Sequence, residues 1–129
     1  METRITLFVD EEDMGDQVYV NKLDSGYYRL LEHPTFSETA KYDDIVELDR
    51  TSDGSFKLIR VIKTSPLEMA DFILPAHDEG EKQLMSILQR IMDTNGYWQR
   101  DFGGLLFVFY DPSVYDPIDD IYSALSKEQ

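Results

Sequence analysis

The side chains that could do chemistry here are mostly carboxylates. The densest run is Asp10-Glu11-Glu12-Asp13, with Gly15 and Asp16 just behind. A calcium loop places acids at alternate positions before a glycine, because a hard cation takes its oxygens from one tight turn. Asp10, Glu12 and Asp16 suit that scheme, but Met14 stands where a ligand belongs and no bidentate glutamate follows at the needed spacing. The run is expected to be a solvated loop, and no metal is assigned. His33 and His77 are the two histidines. Each sits in a connection at or near a proline, and both are expected at the surface rather than in acid-base work. The absence of cysteine excludes disulfides and thiolate metal sites.

Nucleophile motifs are missing too. Ser55, Ser65, Ser86 and Ser113 have no Gly-x-Ser-x-Gly around them. Gly103-Gly104 lacks the Gly-Lys-Ser/Thr ending of a phosphate loop and opens a strand, so it reads as a hairpin turn. Asp43-Asp44 and Asp119-Asp120 are adjacent acids, and acid-base catalysis by a pair needs unequal environments for its members. With 26 Asp and Glu in 129 residues, adjacency follows from composition. No catalytic residue and no cofactor is assigned. The aromatic side chains are read mainly as core, with Tyr27, Trp98 and Arg100 as the candidate interaction face, since such residues anchor protein interfaces.

The elements that must position these residues are organised around Leu105-Leu106-Phe107-Val108-Phe109-Tyr110. An apolar run between Gly103-Gly104 and Asp111-Pro112 predicts a strand in mid-sheet, buried on both faces. Before it, Met69 to Leu74 predicts a strand, and Glu79 to Thr94 a helix. Leu84, Leu88, Ile91 and Met92 form the helix's stripe, with Met85 and Ile87 widening it. Asp78, three residues ahead of Glu81, supplies a capping-box-like start, and Asn95-Gly96 a left-handed stop. Tyr97 to Phe102 predicts the partner strand of the hairpin. Asp116-Pro117 opens a last helix with Ile118, Ile121, Tyr122 and Leu125 on its apolar side. The order β-α-β-β-α is that of a ferredoxin-like unit without its final strand. The sequence ends at Gln129 with no room for that strand, so its edge is expected to be open, paired or covered.

Residues 1–64 read differently. Arg4 to Val9, Gln17 to Lys22, Tyr27 to Leu31, Asp44 to Asp49 and Phe56 to Lys63 predict five short strands. Asp24-Ser25-Gly26 and Asp53-Gly54 are turn signals between them. The expected fold is therefore α+β: a small all-β barrel-like subdomain over 1–64 and a ferredoxin-like subdomain over 65–129, packed as one unit.

Several of these segments together resemble a known group. Tyr28-Arg29-Leu30 with Pro34 and Phe36, Asp43 to Leu48 with Phe56 to Lys63, and Gly96-Tyr97-Trp98 with Gly103 to Leu106 are similar to uncharacterised bacterial proteins classed as a domain of unknown function. The likeness spans about residues 18 to 125 and rests on turn glycines and strand patterns. It implies no activity, cofactor or site residue.

Charge narrows the partners. Twelve Lys and Arg against 26 Asp and Glu give a net charge of −14. Such a surface repels phosphate backbones and suits a basic protein. The expected function is a non-enzymatic acidic binding or regulatory protein acting through protein contacts, of which an immunity-like protein masking a basic enzyme is one form. The alternative is a small-molecule sensor, its ligand held between the two halves. The expected partner is a protein or a second copy of the chain, with neither nucleic acid nor membrane involved. No signal peptide or membrane span is read, and the expected location is the cytoplasm.

Overall fold

The computed structural model describes residues 2–9, 15–35, 37–75 and 80–126. It is α+β and divides into two compact units, Met1–Ser65 and Pro66–Gln129. The first is a closed barrel of five strands in chain order: β1 (Glu2–Phe8), β2 (Asp16–Lys22), β3 (Tyr28–Leu30), β4 (Ile45–Arg50) and β5 (Phe56–Lys63). Successive strands pair antiparallel, so the fifth returns parallel to the first. That closing contact is short: it joins Leu7 to Phe56 and Phe8 to Lys57.

Alternation decides which side chains fill the barrel. Ile5 and Leu7, Val18 and Val20, Leu30 and Val46 point inward and are buried. Gly26 and Gly54 take the left-handed conformations that their turns require (φ 91° and 87°), as the turn signals implied. The connection from β3 to β4 is a compact cap rather than an open loop. The Ser37 hydroxyl accepts the N–H groups of Thr39 and Ala40, and Ala40 enters the core. His33 and Pro34 are buried with it. The expectation of a surface histidine at 33 is therefore corrected. His33 is 2% exposed because this connection folds inward instead of running over the surface. His77, Asp78 and the acidic run Asp10 to Asp13 lie outside the described residues.

The second unit contains β6 (Glu68–Ile73), α1 (Glu81–Asp93), β7 (Tyr97–Asp101), β8 (Leu105–Tyr110) and α2 (Ile118–Ser126). Its sheet has the order β6-β8-β7, antiparallel throughout. β8 is thus central, and Leu106 to Tyr110 are all buried, as the apolar run required. Leu106, Val108 and Tyr110 pack with Phe72, Leu84, Leu88, Ile91 and Ile121 in one core, while Phe107 and Phe109 occupy the opposite face.

Four local expectations change. α1 begins at Glu81, and its N-cap is Gly80 in a left-handed conformation without a side-chain cap. The buried stripe of α1 is Leu84, Ile87, Leu88 and Ile91, whereas Met85 and Met92 are exposed. Met92 lies one residue, or about 100°, beyond the Ile91 row and so turns toward water. On α2, Ile121 and Ala124 are the buried residues. Tyr122 is exposed, although its ring meets Phe72 edge-on at 5.3 Å. In the β7–β8 hairpin, Asp101 pairs with Leu105, so the loop is Phe102-Gly103-Gly104. Both Phe102 and Gly103 have positive φ, 55° and 77°.

Candidate ligand-binding cleft at the barrel mouth

Strand direction brings distant parts of the sequence to one end of the barrel. β1, β3 and β5 begin there, while β2 and β4 finish there. Because β1 meets β5 only from Leu7 onward, the edge of residues 2–6 that faces away from β2 has the β4–β5 turn beside it rather than a paired strand. The seam widens at that point into a cleft of about 420 Å³.

The inward rows of side chains change character as they reach it. On β2 the row Val18, Val20 ends in Lys22. On β4 the row Val46, Leu48 ends in Arg50. Lys22 pairs with Tyr28 and Arg50 with Phe56, which puts an aromatic ring beside each cation. The two rings meet edge-on with centroids 5.8 Å apart. The Lys22 ammonium lies 6.0 Å from the Tyr28 ring, at the outer limit of a cation–π contact. Arg4 completes the charged lining, its guanidinium 5.6 Å from the Tyr19 ring. Thr3, Thr6 and Gln17 add hydroxyl and amide groups, and Gln17 Nε2 donates to Thr6 Oγ1. Gly54 forms part of the wall near the Arg50 guanidinium, which lies 4.0 Å from where a Cβ on Gly54 would stand.

Among the described residues, every charged side chain lining this cleft is basic, in a chain with about two acids for each base. Among the described residues, Arg4, Lys22 and Arg50 are in none of the ion pairs. Those pairs join Arg29 to Asp43, Arg60 to Glu47 and Arg100 to Glu81. The nearby acid Asp53 is engaged inside its own turn, where its carboxylate accepts from the Thr51 hydroxyl and the Ser55 N–H. These two bonds hold its carboxyl below the usual range.

The opposite end of the barrel is built from acids and has a structural use. Asp44 is buried, and its carboxylate accepts the Ser65 N–H at 2.7 Å and the Lys41 N–H at 3.0 Å. Burial raises its pKa above the ordinary carboxylate value, and the two backbone N–H bonds only partly oppose this. Asp43 takes a left-handed φ of 72° and accepts from Arg29 and the Ser65 hydroxyl. The adjacent pair thus ties the start of β4 to the chain leaving β5.

Of the residues named from sequence as an interaction face, Tyr27 lies half-buried in the β2–β3 turn of the first unit. Trp98 and Arg100 share one face of β7 in the second. Trp98 packs against the helix-covered core. Arg100 donates to the Gly103 carbonyl and to Glu81 of α1. Asp119 and Asp120 sit in the first turn of α2, where Asp120 accepts the Tyr115 hydroxyl at 2.8 Å. Arg4, Lys22 and Arg50 were not singled out by sequence. Their only signal is position: each is at or near the mouth end of a strand. Among the described residues no group of three or more His, Asp or Glu could hold a metal ion. Nor is any helix among them long and apolar enough to cross a membrane.

No protein-family model matches the chain, and no curated protein does. Among solved structures it is similar to a protein of Neisseria gonorrhoeae described as a novel crystal structure of a hypothetical protein. The TM-score is 0.65 at 20% identity, over 98% of this chain and 90% of that one. At this identity the likeness concerns the fold.

Proposed function

We propose that this is a binding protein of sensing or regulatory type, whose barrel unit holds a small molecule in the cleft at its mouth. The observation that carries the reading is the cleft's construction. Its volume of about 420 Å³ lies within the range of small-molecule sites. Its walls are contributed by the ends of all five strands, which fix side chains better than loops do. Polar, charged and aromatic groups converge on it, the combination that orients a ligand while removing its apolar part from water. A thermal-shift screen over metabolites and cations, followed by amide-shift mapping on β1, Lys22 and Gly54, tests the reading. A panel in which no compound stabilises the protein or moves those amides overturns it.

A second reading, protein-protein contact by an acidic surface as in an immunity protein, has its own support. The charge of −14 favours a basic partner. In the second unit, Ile73 is 85% exposed and Met69 41% exposed, both on edge strand β6 and on the sheet face away from the helices. The order β6-β8-β7 supports taking this unit as ferredoxin-like. In that arrangement the third strand separates the first from the second, and a fourth would lie beside β6. Substituting Ile73→Asp should abolish capture of a basic partner. A set of captured proteins identical for the variant and the wild type would remove this reading.

A further inference from the structure

Resting on the cleft reading above, we infer that the ligand is an oxyanion-bearing small molecule. Arg4, Lys22 and Arg50 would hold its phosphate or carboxylate, and Tyr28 and Phe56 would lie against its apolar part. The argument begins with what a barrel normally does at its rim. Inward positions are apolar through the core and give way to whatever solubility demands at the end. In this chain solubility is supplied by carboxylates, 26 of them against 12 bases. A rim set by composition would carry mostly acids. Instead the last inward position of β2 is Lys22 and that of β4 is Arg50, with Arg4 on the third wall. Long basic side chains can reach for water from such a rim without further purpose. That account does not explain why three cations share one cleft that no carboxylate among the described residues lines, when Asp53 in the adjoining β4–β5 turn is bonded to Thr51 and Ser55.

Like charges gathered around one space repel unless an anion joins them. A guanidinium fork supplies parallel N–H donors matched to two oxygens of a carboxylate or phosphate, and an ammonium adds a point charge. The protein's net charge does not forbid this. At physiological ionic strength fields fade over roughly 8 Å, so an anion inside the cleft feels the adjoining cations more than distant acids. The Tyr28 and Phe56 rings, half-buried and edge-on to each other, provide an apolar surface beside Lys22 and Arg50. A bare inorganic ion would leave that surface uncovered. A ring or short chain bearing the oxyanion would cover it.

The experiment uses the full chain, labelled with nitrogen-15, and two matched pairs of probes at millimolar concentration: phenyl phosphate with phenol, and benzoate with benzamide. The expected result is shifts at Thr3 to Thr6, Lys22, Gly54 and the Arg50 Nε–H. At least one charged probe should bind about tenfold tighter than its neutral partner, and more weakly as salt rises. Whether the phosphate or the carboxylate member wins identifies the head group. Arg50→Gln and Lys22→Gln should each weaken the charged probe about tenfold. Arg60→Gln, which breaks the ion pair with Glu47 away from the cleft, should not. Neutral probes that match the charged ones at the same amides would overturn the oxyanion class while leaving a ligand cleft. Silence at those amides from all four probes, and from neutral and cationic metabolites, would overturn both.

Discussion

Gly96→Ala is expected to destabilise the second unit by about 2 kcal/mol, through a contact rather than a backbone angle. A Cβ built on Gly96 falls 2.5 Å from the Phe109 carbonyl oxygen, 2.7 Å from Ile91 Cγ2 and 2.9 Å from the Ile91 oxygen. Two of these atoms are main chain, one in β8 and one in α1, so relief requires moving an element rather than a rotamer. Overpacking of this kind costs about 1–3 kcal/mol, against which alanine regains about 0.5 kcal/mol from a stiffer unfolded chain. Gly96 also donates its N–H to Ile91 O at 2.8 Å, and Asn95 donates to Met92 O at 3.3 Å, the paired bonds of a Schellman stop. The left-handed residue of that stop is Asn95, with φ 64°. The two positions therefore make opposite demands. Asn95→Gly should be nearly neutral, and Asn95→Ala should cost about 1 kcal/mol. Urea unfolding followed by Trp98 fluorescence is the assay, since the single tryptophan sits in the neighbouring strand β7. A loss of about 2 kcal/mol lowers the midpoint by about 1 M at an m-value near 2 kcal/mol/M. A midpoint for Gly96→Ala unchanged from wild type, or an Asn95→Gly loss larger than the Gly96→Ala loss, would refute the packing argument.

Two further outcomes follow from buried ionisable groups. Tyr115 is buried, donates to Asp120 and has Arg90 stacked 4.0 Å from its ring centroid; burial first, and then the bond to Asp120, push its pKa up to about 12. The stability it contributes is complete below the unfolded phenol's pKa near 10 and is lost as pH rises through about 12. Tyr115→Phe should cost about 1 kcal/mol at neutral pH and flatten that alkaline loss, read by unfolding midpoints at stepped pH. Asp44 is raised for the same leading reason, so its carboxyl carbon should titrate above the ordinary carboxylate value by NMR. Its ionisation makes the first unit less stable as pH rises through that midpoint and more stable as pH falls through it. Asp44→Ala, which leaves the Ser65 and Lys41 N–H groups without their acceptor, should cost about 2–3 kcal/mol. A midpoint below the ordinary value would contradict the dominance of burial.

The legible part of the fold was the part written in nearest neighbours. An apolar hexapeptide between turn signals can only be an interior strand, and Leu105–Tyr110 is central in its sheet. Asp53-Gly54 announced its hairpin because one residue had to accept φ 87°. What failed was everything that depended on how a connection folds back. His33 looked like a loop residue because His-Pro ends a strand. Nothing local reveals that Ser37 turns the chain inward and brings Ala40 into the core. The helix stripe was misplaced at Met92 because a period of 3.6 leaves two equally good rows until a sheet chooses between them.

The cleft was hidden for a related reason, and that reason bears on how such sites should be sought. Arg4, Lys22 and Arg50 are 18 and 28 residues apart in the chain. No spacing rule connects them, because their neighbourhood is made by reversal of direction at each turn. In an antiparallel barrel the start of an odd strand and the end of an even one share a rim. With alternate strands reversed, the order of the five strands alone sets Arg4, Lys22, Tyr28, Arg50 and Phe56 at one end. The same operation places Asp43, Asp44 and Ser65 at the other. One rim uses its carboxylates to hold backbone N–H groups, a hydroxyl and a guanidinium, which engages them in the fold. The other leaves its cations outside every ion pair among the described residues. Acids that fasten the fold and bases that face a cleft explain how a chain of charge −14 can hold an anion without contradiction.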